Sequence, residues 1–212
     1  MGQRSNMLML CAGALATTIW STHALADGAA PCATPEQSAV VAQLYANGPA
    51  GLPFQAAMKL QVPESVVLSS LDSKRSVGVA GGEFAKIWES LTTWPEAMTF
   101  IVKGGQMFEI AGPVPGGKPS TRSRFFNLDH GGHGIGGHLR PDLVSAMYAI
   151  DLAGGEGPVR GVVFLDAQGE SIFSVFVPTA ESEDKSPSPA NARFEQTRAL
   201  MAALPQVCPA KH

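Results

Sequence analysis

Strong charge is missing from this chain. Fifteen lysines and arginines stand against 18 aspartates and glutamates, a net charge of −3, and only 16% of the 212 residues are charged. With a pI near 5.9, the sequence excludes a surface that binds nucleic acid by neutralising phosphates. Cysteine is equally scarce. Three residues are too few for a scaffold built on disulfides. No apolar run reaches the ~20 residues of a membrane-spanning helix. Catalytic signatures are lacking too: there is no Gly-x-Ser-x-Gly, P-loop, dinucleotide fingerprint, His-Glu-x-x-His or Cys-x-x-Cys-His. Nothing here makes a positive case for hydrolytic or redox catalysis.

What is present is an ordinary hydrophobic fraction, 45%, with 23 glycines and 16 prolines. That suits one large soluble domain with appendages. Residues 1–26 have the layout of a signal peptide: Arg4 in a short basic region, an apolar run from Met7 to Ala16, and an Ala24-Leu25-Ala26 site. Cleavage is expected between Ala26 and Asp27, giving a periplasmic or secreted protein with no membrane span after leader cleavage. The leader takes Arg4 and Cys11 with it, moving the net charge from −3 to −4. Cys32 and Cys208 then remain, one near each end. In an oxidising compartment the leading reading is a disulfide joining the termini; the alternative is that Cys208-Pro209 presents a thiolate to haem iron.

Thr34-Pro35-Glu36-Gln37 reads as a capped helix start, with Val40, Val41 and Leu44 on one face. Further helices are expected over 53–60 and 64–71. Phe84, Ile87, Trp88 and Leu91 follow at i, i+3, i+4 and i+7, the clearest helical period in the chain. From Ala97 the period shortens. Strands are expected over 98–103, 106–111, 122–128, 137–139, 145–152, 159–165 and 171–177. The last carries Phe173, Val175 and Val177 against Ile172 and Phe176, apolar on both faces, as a strand covered on both sides would be. A polar linker over 180–189 precedes a closing helix with Phe194, Thr197, Met201 and Leu204, stopped by Pro205. The expected class is α+β: an antiparallel meander with N-terminal helices and a C-terminal helix. Residues 27–54 form a helical extension, 55–204 the main domain and 205–212 a tail.

Chemistry concentrates in Leu128-Asp-His130-Gly-Gly-His133-Gly-Ile-Gly-Gly-His138-Leu139. Imidazole is a common metal ligand and an axial ligand for haem iron. The interleaved glycines let backbone approach a flat ligand closely. Three readings stay open on this pattern: a Zn²⁺ or Cu²⁺ site using His130, His133 and His138, one imidazole on a haem iron, or a loop without ligand. Arg122, Arg124, Arg140 and Lys118 lie nearby, either as solvated charge or as partners for haem propionates.

Gly82-Glu-Phe-Ala-Lys-Ile-Trp-Glu-Ser-Leu-Thr-Thr-Trp94, Phe125-Phe-Asn-Leu128, Gly137-His-Leu139 and Gly169-Glu-Ser-Ile-Phe-Ser-Val-Phe176 occur in one order. Together they resemble the HutX/ChuX family of bacterial haem-utilisation carriers, over residues 55–204. The resemblance implies an α+β homodimer that binds haem b as its ligand and takes it from a transporter or passes it to an acceptor, without acting as an enzyme. Haem degradation on a related fold is the alternative activity. His138 matches a histidine implicated in haem binding in the family. Phe125 stands where the family commonly has a tyrosine ligand, and Val102 where it has a second histidine. His133 and His130 are the remaining iron-ligand candidates, with Arg124 and Arg140 beside the haem.

Overall fold

Thr34 caps the first helix in the way its neighbours require. Its hydroxyl accepts from the Gln37 amide at 3.2 Å while the Gln37 side chain accepts from the Thr34 amide at 2.8 Å. Pro35 opens α1, Pro35–Ala46. The computed structural model describes residues 28–48, 51–130, 134–155, 157–178 and 188–208. The leader expected over 1–26 lies outside them, as does most of the linker expected over 180–189. α1 packs through Val41, but Val40 is half exposed, contrary to expectation. Residues adjacent in a helix sit about 100° apart, so one narrow line of contact takes only one of them.

Two short helices follow, α2 (Pro53–Leu60) and α3 (Glu64–Ser70), then β1 (Ser76–Ala80) and α4 (Phe84–Leu91). β2 (Met98–Lys103) and β3 (Gln106–Ala111) form a hairpin across Gly104-Gly105, both at positive φ. A separate three-stranded sheet comprises β4 (Gly117–Pro119), β5 (Phe126–Leu128) and β6 (His138–Leu139). The chain returns through β7 (Ala146–Ala153), β8 (Pro158–Leu165) and β9 (Ser171–Phe176) to α5 (Ala190–Ala202). The main sheet has the order β1-β7-β8-β9-β2-β3, with every pairing antiparallel.

Both faces of this sheet are buried. On one, Val79, Met147, Val162, Phe164 and Val175 meet α4, α5 and the small sheet. On the other, Tyr148, Ile150, Val163, Leu165 and Phe176 meet α1, α2 and α3. The period-2 alternation of the strands sends successive residues to opposite cores. β9 is therefore covered on both sides, as its composition implied. One detail differs: Ile172 packs with Phe173 on the same side. A register shift places Phe173 opposite Phe164 and Ser171 opposite Leu165, leaving Ile172 as the extra residue of a bulge.

The strand expected over 122–128 shrinks to Phe126–Leu128, and β1 and β4 carry no strong strand signal. β1 owes its place to Gly78, where a Cβ would strike the Tyr148 ring. Its outer edge is covered by the end of the chain: Val79 bridges Gln206, and the Val207 amide donates to the Gly78 carbonyl at 3.0 Å. Cys32 and Cys208 are bonded there, Cα atoms 5.8 Å apart across 176 residues of sequence. The expected clasp is thus present, and it consumes the thiolate that Cys208 would need to offer an iron. Among the described residues no helix is long and apolar enough to cross a membrane.

Candidate functional site

The site is built on β5. Phe126 points into the core, edge-on to Phe84 at 5.5 Å and Trp88 at 6.2 Å. The Trp88 indole N–H donates to the Pro115 carbonyl at 3.0 Å, fixing the approach to β4. Because Phe126 is turned inward, Phe125 and Asn127 face the other way. Asn127 lies opposite Lys118 on β4 and His138 on β6. A row of three polar side chains crosses the outer face of the small sheet.

His138 is exposed, and its Nδ1 lies 2.8 Å from Asn127 Oδ1. An amide oxygen only accepts, so Nδ1 carries the proton and donates. In the neutral ring Nε2 then keeps its lone pair, the form that ligates a metal. The Phe125 ring stands 5.8 Å from the imidazole, and the Arg140 guanidinium lies over the same ring at 5.7 Å. Arg140 also forks onto Asp142 through two 2.7 Å hydrogen bonds. Those bonds hold the Asp142 carboxyl below its ordinary range and raise the arginine. Arg124, 80% exposed, reaches the same carboxylate only at 3.6 Å. Of the two expected propionate partners, Arg140 holds Asp142 by two short hydrogen bonds and Arg124 pairs with it at longer range while largely exposed.

Phe125 is shared with a groove of about 620 Å³ lined by Gly82, Phe84, Pro119, Arg124, Phe126 and Pro141, among others. That volume lies within the range of small-molecule sites. The fold therefore brings Phe125, Arg124, Arg140 and His138 together. It does not bring His130, which is exposed on the loop after β5 and makes no hydrogen bond or ring contact with this cluster. His133 lies outside the described residues. Among the described residues no group of three or more His, Cys, Asp and Glu is assembled to hold a metal ion. Val102 sits on the opposite face of the main sheet, among Phe54, Glu64 and Phe100. Positions 102 and 138 thus lie on opposite sides of the main sheet. Residue type alone does not single out Asn127 or Asp142. Asn127 is legible only as part of Phe-Asn-Leu, and its role depends on the β5–β6 register.

A family model described as haem utilisation ChuX/HutX matches residues 77–197. The chain belongs to the ChuX/HutX family. Over 157 residues it is 31% identical to the intracellular heme transport protein HutX of Vibrio cholerae, spanning 73% of this chain and 79% of that one. A solved structure from Agrobacterium tumefaciens superposes with a TM-score of 0.66 at 26% identity, covering 78% of this chain and 92% of the other. The structure of the heme binding protein ChuX superposes at 0.64 with 18% identity, covering 78% and 98%. The α+β class expected for the ChuX/HutX fold is the one observed. The location is corrected: a relative named as intracellular overturns the periplasmic or secreted placement. An apolar run ending in Ala-Leu-Ala is a compositional pattern, and it lies outside the described residues.

Proposed function

We propose that this ChuX/HutX member binds haem b as cargo inside the cell and hands it to a downstream acceptor, with His138 Nε2 as iron ligand. The observation that carries this reading is the 2.8 Å bond from His138 Nδ1 to Asn127 Oδ1, which fixes the tautomer an iron ligand needs. Phe125 supplies an apolar face for a porphyrin, and the exposed Arg124, paired with Asp142 only at 3.6 Å, supplies the cation for a propionate. Transfer rather than degradation is the proposed activity, supported by the transport protein among the relatives. A homodimer is proposed as the working form; Met107 and Phe108 lie exposed on β3, a free edge of the main sheet.

Titration with haemin, followed at the Soret band, tests the ligand. Saturable binding is expected for the wild type and for His130→Ala/His133→Ala, and a lost or strongly weakened shift for His138→Ala. Equal binding by His138→Ala with loss in the double variant would overturn the assignment. Haem that disappears in the presence of NADPH or ascorbate, rather than moving to an apo-acceptor, would overturn the transfer reading.

A further inference from the structure

A second cleft lies on the other face of the sheet, beneath α2 and α3. Met58, Gln61, Val102 and Ser171 border about 430 Å³ of it, and a narrow extension passes Phe100, Ser174 and Phe176. Glu64, the first residue of α3, lines both parts. It is 3% exposed, and its carboxyl makes no hydrogen bond or ion pair among the described residues. Buried polar groups are normally partnered, because an unpaired one forfeits its hydration without return. Glu64 keeps only slight exposure where it lines the cleft and has no partner there among the described residues, so a ligand can supply one.

The surroundings define that ligand's chemistry. Glu170 adds a second acid at the mouth, Ser171 and Ser174 offer hydroxyls, and among the described residues no lysine or arginine lines the cleft. The walls are apolar: Phe54, Phe100, Val102 and Phe176. Burial first, and Glu170 second, push the Glu64 carboxyl up to about 8. The other titratable group coupled to it is Tyr45 on α1, itself raised to about 12. Arg75 lies over the Tyr45 ring at 5.9 Å but pairs with Asp72, so among the described residues no cation forms an ion pair with Glu64.

We propose that this cleft binds a primary alkylammonium, its head on the Glu64 carboxylate and its hydrocarbon chain against Phe54, Val102 and Met58. Ammonium binding requires Glu64 to ionise, so the proton held by the free carboxyl passes to the buffer. The cleft lies on the face opposite His138, and Val102, where the family has its second histidine, forms part of its wall.

Isothermal calorimetry of the full chain at pH 7 with n-hexylammonium chloride tests it, with sodium hexanoate and 1-hexanol as matched probes. Saturable heat is expected for the amine alone, with release of about one proton when two buffers of different ionisation enthalpy are compared. Glu64→Gln, isosteric and neutral, is expected to weaken binding at least tenfold and abolish the proton release. Met58→Trp at the exposed rim narrows the mouth in a protein of unchanged Tm, and it too is expected to weaken the amine. Hexanol binding as tightly as the amine, tighter binding of hexanoate, undiminished binding by Glu64→Gln, or no amine binding would each overturn the proposal.

Discussion

His138 is held by one neighbour, and that neighbour decides what it can do. Removing the Asn127 amide leaves the imidazole free to rotate and to protonate either nitrogen. Asn127→Ala is expected to weaken haem binding about 10- to 100-fold, the usual effect of losing a partner that orients a ligand, with stability little changed because Asn127 is only half-buried and His138 is exposed. A Soret titration beside a thermal melt separates the two effects. Glu64 carries the opposite kind of prediction. Its pKa is raised from 4.5 to about 8, so between those values the native chain holds a proton that the unfolded chain has released. Stability therefore falls as pH climbs through that window and stays low above it. Within the window, each step of one pH costs about 1.4 kcal/mol. Denaturant midpoints from pH 5 to pH 9 are expected to decline in the wild type and to flatten in Glu64→Gln.

At the scale of elements, the closing helix is tied to α4 by one hydroxyl. Thr197 Oγ1 accepts from the Trp94 indole at 3.0 Å, lies 2.6 Å from Ser90 Oγ and donates to the Arg193 carbonyl at 3.1 Å. Thr197→Val keeps the shape and orphans the indole N–H, at an expected cost of about 1–3 kcal/mol measured by urea unfolding. Elements with a strong local period are legible in the sequence: α4 from Phe84, Ile87, Trp88 and Leu91, and β9 from its two apolar faces. β1 and β4 are not, since their pairing depends on distant partners and, in β1, on a glycine that fits beneath Tyr148. The same limit applies to the site. His138 and Phe125 stand out by residue type and motif, while Asn127 and Asp142 acquire roles only through strand register and the turn after β6. The bulge at Ile172 moves one side chain to the other core, which no alternation rule can show.

On the scale of the whole molecule, the sheet separates two chemistries. The His138 surface and its groove lie on the side of α4 and α5, while Val102 and the Glu64 cleft lie under α2 and α3. The disulfide fastens the segment before the first helix to the end of the chain behind β1. Cys32 and Cys208 are sealed in that bond, so thiol titration in denaturant is expected to gain two thiols per molecule on reduction. Breaking the clasp with Cys208→Ser is expected to cost about 2–4 kcal/mol, since it frees a loop spanning most of the chain.

Everything proposed for the haem site turns on His138 Nε2 as the iron ligand. Resonance Raman spectroscopy of the ferrous haem complex tests it most directly. An iron–histidine stretching band is expected in the wild type and absent in His138→Ala. The same band persisting unchanged in that variant would contradict the assignment.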